Sequence, residues 1–187
     1  MSVSKDEASS ALHDIEAMGR RSRTLFAYDL GSPYLLLWGV LWMIAGVVGA
    51  VSPANSGIGW GAVDIVGLLG TAYLIVRHAR RCGERSERIH LLRYVGSVAT
   101  LAAFIGLTLM VFVPVSGAEV LMLITLLVAA VYAITGCWVG LRYAIIGVVL
   151  GGLAVAVFLL APAYLNLIVP FVGGGALILG GLWMRRA

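Results

Sequence analysis

Asp64 is the one carboxylate set inside a long apolar stretch, four residues after Trp60 and just before "IVGLLG". An acid at a bilayer centre costs roughly 2.5–3.5 kcal/mol, and by default it marks an ion or proton site. Counting from Ile58, Asp64 lies roughly 10 Å below the edge of its stretch at 1.5 Å per residue. At that depth the carboxylate should face a bundle interior or a wet cavity. No Lys or Arg sits at the same depth, so Thr108, Asn166, Tyr164 or a backbone amide is the expected donor. Two readings compete: a proton or cation site, and an acid near the interface that holds helices together by hydrogen bonding.

Hydroxyls form the second constellation. Ser97, Thr100 and Thr108 fall near one face of the third apolar stretch, and Thr125, Tyr132 and Thr135 recur along the fourth. With Asn166 they could line a polar path beside Asp64. The plainer role is interhelical hydrogen bonding, worth about 0.6 kcal/mol each on average. Trp38 and Trp42 lie four residues apart, one helical turn. With Trp60 they could form an aromatic wall for an apolar or cationic ligand, or supply buried area. Pro170 and Gly173 predict a helix kink, because proline removes one rung of the hydrogen-bond ladder. His78, Cys82, His90 and Cys137 match no zinc spacing and read instead as groups near helix ends. No metal site and no cofactor are expected.

Several chemistries are excluded by residue type. The only lysine is Lys5, so no retinal-type Schiff base can form in an apolar bundle. No histidine lies within an apolar stretch, which excludes paired haem ligation there. Neither HExxH nor GxSxG occurs. The Gly173–Gly175 run lacks the Lys-Ser/Thr ending of a phosphate loop. One embedded acid cannot make an aspartyl protease dyad. The chain is therefore expected not to be an enzyme.

The elements that must position these residues follow from composition. Of 187 residues, 61% are apolar and 12% charged, with a mean hydropathy of +1.01. A soluble domain carries roughly 25% charged residues. A bilayer-crossing helix takes about 20 apolar residues. Six such stretches occur, at about 33–51, 58–76, 92–113, 120–140, 143–161 and 164–184. The expected fold is an all-α integral membrane protein: six transmembrane helices in a bundle (31–187), paired as three hairpins, plus a cytoplasmic amphipathic N-terminal helix (1–30). Ser4 and Glu7 have capping-box spacing, and Ala8, Ala11, Leu12, Ile15 and Met18 fall on one face. Gly31 reads as the stop of that helix and Pro33 as the first turn of the next.

Charge sets the orientation. Every Arg, and Lys5, falls in the N-terminal segment, in the 77–93 loop, at Arg142 or at Arg185–Arg186. The turns near Pro53, Pro114 and Pro162 carry none; Glu119 is their only acid. The positive-inside bias then puts both termini in the cytoplasm, in a bacterial inner membrane. Cys82 and Cys137 fall on that side, where a structural disulfide is not expected. The N-terminus is polar, and no signal peptide is expected. The net charge of +4 is spread beside apolar spans, which fits anionic lipid rather than nucleic acid.

Small residues at four-residue spacing, Gly147 with Gly151 and Ala176 with Gly180, permit close helix approach and a homo-oligomer. The last hairpin, "LRYAIIGVVLGG" through "GGGALILGGLW", resembles the repeats of small six-span families such as the HdeD-like acid-resistance proteins. That resemblance spans this hairpin alone and assigns no residue a role. The functional expectation is a non-catalytic membrane protein that senses or regulates, with a cytoplasmic protein partner at 1–30 and 77–93. The alternative is a small transporter or channel subunit using Asp64 and the hydroxyl path. A third reading is an oligomeric scaffold that binds lipid or a small molecule.

Overall fold

The computed structural model describes residues 5–81, 87–112 and 116–186. The expectations placed on Ser4, Cys82 and Pro114, and on the side chains before His13 and of His90, fall outside what it describes. Six helices make up almost all of the described chain: α1 (Lys5–Val51), α2 (Ser56–Arg81), α3 (Glu87–Val111), α4 (Gly117–Val139), α5 (Leu141–Leu160) and α6 (Leu165–Arg185). Each contains a stretch long and apolar enough to cross a membrane.

Two of the connections are single 3-10 turns that begin on proline, Pro53–Asn55 and Pro162–Tyr164. Proline suits that place because its missing amide would have had no helical partner. Glu119 has a local task. Its carboxylate accepts from the Ser116 amide at 2.7 Å, while the Ser116 hydroxyl accepts from the Glu119 amide at 3.2 Å. This reciprocal pair satisfies two free donors at the start of α4.

One expectation about the N-terminal segment is corrected. Gly31 does not stop a helix and Pro33 does not start one; α1 runs unbroken through both for 47 residues. At 1.5 Å per residue it is about 70 Å long, more than twice a hydrocarbon core. An interior proline costs about 3 kcal/mol unless neighbours compensate. Here they do. The buried Ser32 hydroxyl donates to the Gly181 carbonyl of α6 at 2.8 Å. Gly31 leaves the space that the Tyr143 hydroxyl of α5 fills; a Cβ there would collide with it. What reads locally as a break is a docking notch.

The pairing of helices also differs from three hairpins. α1 packs most extensively on α6, and α4 on α5; α1 with α2 and α5 with α6 follow. Among the described residues α3 packs beside α2, and α3 and α4 are not a packed pair. The helices thus follow one another in the order α4, α5, α6, α1, α2, α3. None of the 18 residues from Tyr94 to Val111 is buried. The Tyr94 hydroxyl ties α3 to α2 by donating to the Leu68 carbonyl at 3.0 Å. The missing middle hairpin has a physical reason: α3 has no dominant apolar face, so its pattern favours no one neighbour.

The α1–α6 seam is antiparallel and built on glycine. Gly39 faces the Gly174 carbonyl, Gly174 faces the Gly39 carbonyl, and Gly46 lies under Pro170. Backbones meet there without side chains between them, which maximises dispersion contact. The buried apolar side chains form three clusters, and Trp60 packs against all of them.

Candidate functional site

The most connected side chains gather at the arginine-bearing end, where α1 enters the bundle. Gly140 is the sole residue between α4 and α5, with φ 157° and ψ 154°. That backbone region is essentially reserved for glycine. Glycine brings no side chain to cap the helix that follows. Tyr28 of α1 supplies the cap: its hydroxyl accepts from the Arg142 amide at 3.3 Å. In return the Tyr143 hydroxyl of α5 donates to the Ala27 carbonyl of α1 at 3.3 Å. The two rings sit 5.9 Å apart, and Tyr132 stacks on Tyr143 at 6.3 Å.

Arg142 completes this clamp. A cation in the first turn of a helix opposes the helix dipole. Its guanidinium therefore turns away, to α6. Nη1 donates to the Trp183 carbonyl at 2.6 Å, in the last turn of α6, an oxygen that also accepts from the Arg186 amide at 3.3 Å. The cation also lies 4.9 Å from the Trp183 ring and 5.3 Å from the Tyr28 ring. Contacts of that kind contribute roughly 0.5–2 kcal/mol each. Four helices are joined here. Among the described residues these contacts tie the helix ends to one another.

The polar residues singled out from sequence are not brought together around Asp64. Asp64 is exposed on α2, makes no hydrogen bond or ion pair among the described residues, and lines neither cavity described here. Thr108 does not reach it; its hydroxyl bonds back to the Phe104 carbonyl of its own helix at 2.8 Å. Thr100, Thr125 and Thr135 do the same with Gly96, Leu121 and Val131. Such back-bonding satisfies a hydroxyl within one helix and leaves it little to offer a path. Ser97 and Asn166 are exposed, while Thr125 is fully buried in the bundle. Tyr132 belongs to the clamp.

The tryptophans pack. Trp42 is 4% exposed and meets Trp60 edge-on, with centroids 5.9 Å apart. The Trp38 indole donates to the Thr71 hydroxyl at 3.1 Å, fixing α1 to α2. Gly173 sits under the Trp42 ring, and Pro170 is buried. α6 continues through both. The void beside Thr125 and Gly173 is about 10 Å³, room for one water at most. His78 stacks on Tyr34 at 6.4 Å, with Nδ1 3.1 Å from the Leu74 carbonyl. Cys137 is a free thiol near the Ala133 carbonyl. Among the described residues no three His, Cys, Asp or Glu side chains converge on one point.

Sequence reasoning missed the clamp. Arg142 reads as an orientation marker, and Tyr28 carries no motif. The one available signal was a glycine–arginine pair separated by a single residue ("GLR") between two apolar stretches, too short for a loop unless the glycine turns the chain. No protein-family model, curated protein or solved structure matches this chain.

Proposed function

We propose that this chain is a non-catalytic multi-pass membrane protein that relays between its bundle and a cytoplasmic protein partner. The observation that carries the reading is the continuity of α1. One helix joins the segment that extends beyond the bundle to the glycine seam with α6. The clamp of Tyr28, Arg142 and Tyr143 grips it where it enters. A rigid helix held in that way transmits rotation or displacement, whereas a hinge at Gly31–Pro33 would absorb it. Ile15 and Met18, 63% and 65% exposed on the extending part, offer an apolar strip for a partner.

In this reading the arginine-bearing end lies in the cytoplasm of a bacterial inner membrane, because short loops rich in arginine are retained there. Reporters fused at residue 1 and residue 187 should both give the cytoplasmic signal; opposite signals would overturn the six-span topology.

The functional test is genetic. A strain making the chain without residues 5–20 should match the phenotype of a full deletion, although the shortened protein accumulates normally. A strain carrying Asp64→Asn should behave as wild type. The reverse pair of outcomes would favour a transporter or channel subunit and remove the relay.

A further inference from the structure

The face that α1 and α2 present beside the end of α6 holds a groove of about 500 Å³. Drug-sized ligand sites span roughly 300–1,000 Å³. Its walls are apolar, from Leu36 and Val40 on α1 to Leu74 on α2, with Pro33 at the arginine-bearing end. Arg185 closes that same end. The guanidinium has no hydrogen bond, ion pair or ring contact among the described residues. Arg142, by contrast, spends its own guanidinium on the Trp183 carbonyl.

We propose that this groove is a binding site for an anionic phospholipid of the arginine-bearing leaflet. The occupant follows from what lies at each end. An acyl chain suits a lateral slot of aliphatic side chains. A phosphate-bearing headgroup suits an unpaired guanidinium where the slot ends, since arginine presents a fork of donors to phosphate oxygens. Tyr73, 63% exposed on the α2 wall, sets an amphipathic ring at headgroup depth. The helical repeat brings the exposed Arg77 to the same face of α2, one turn beyond Tyr73. On α1 it brings Asp29 one turn beyond Pro33. Two cations against one carboxylate leave the mouth positive, which favours a headgroup of net negative charge over a zwitterionic one. The inference rests on the membrane part of the proposed function and not on the partner.

The full-length protein, extracted in detergent, is given dioleoyl phosphatidylglycerol or dioleoyl phosphatidylcholine at equal concentration, and retained lipid is read by native mass spectrometry. Wild type should retain phosphatidylglycerol about fivefold better, the effect of one cation at a lipid surface. Arg185→Gln should abolish that preference. Arg186→Gln, which alters the adjacent arginine outside the groove, should preserve it. Val40→Trp should fill the slot and reduce retention of both lipids. Equal retention by wild type, equal losses from the two arginine variants, or no effect of Val40→Trp would each overturn the site. Recovery of the protein from the membrane fraction separately tests the membrane reading, so the two can fail independently.

Discussion

Gly140→Ala should destabilise the bundle by about 3 kcal/mol or more. Two costs combine. A non-glycine residue in that backbone region stores roughly 1–3 kcal/mol of strain. The added carbon would also strike the Tyr28 ring and Thr24, and overpacking of that kind costs roughly 1–3 kcal/mol. Relief requires Tyr28 to move, which uncaps α5 and separates Arg142 from one of its two rings. Unfolding in mixed micelles by denaturing detergent would measure the loss. Gly96→Ala is the control. A Cβ there meets nothing, and alanine improves a helix interior by about 1 kcal/mol relative to glycine. If the two variants unfold alike, Gly140 is an ordinary linker residue and the clamp is not a structural unit.

The seam between α1 and α6 should give the second large effect. Gly174→Val places branched carbons against the Gly39 carbonyl and Met43, where even one Cβ has no room. The helices must separate. Separation draws the Ser32 hydroxyl from the Gly181 carbonyl and leaves a buried polar group without a partner, a cost of roughly 1–3 kcal/mol beyond the steric term. About 3–5 kcal/mol in total is expected, by the same measurement. A cycle with Gly39→Ala sharpens the test. The two glycines face each other, so the second substitution should cost less than it does alone, because the first has already opened the seam. Strict additivity would mean that the two sites do not share one contact.

Much of the fold was legible because it depends on composition over long windows. The six apolar stretches, and the prolines at Pro53 and Pro162, were read from the chain and correspond to helices and 3-10 turns. What could not be read depends on contacts far apart in sequence. Gly31–Ser32–Pro33 has the local signature of a helix break. Only Tyr143 and Gly181, more than a hundred residues away, turn it into a docking notch. The place of α3 was equally hidden. A helix with no dominant apolar face can be central or peripheral, and the chain offers no sign of which.

The candidate site was less legible than the fold. Asp64, the hydroxyls and the tryptophans attracted attention by type, yet type does not say which way a side chain faces. Asp64 is exposed on α2 while Val63 beside it is buried, so a rotation of about 100° separates two environments. The threonines found acceptors in the preceding turn of their own helices, an outcome always open to a hydroxyl. Trp42 and Trp60 found each other.

The seam between α1 and α6 has a consequence for assembly during synthesis. Of the six helices, the first to be made has its most extensive contacts with the sixth. Until α6 leaves the ribosome, Ser32 has no acceptor and the glycine face of α1 has no cover. The nascent chain must therefore be inserted with its principal interface vacant, and sealing is a late, long-range event. Nonsense mutations upstream of α6 would strand α1 in that unsealed form, a natural target for membrane proteases that survey unfinished chains.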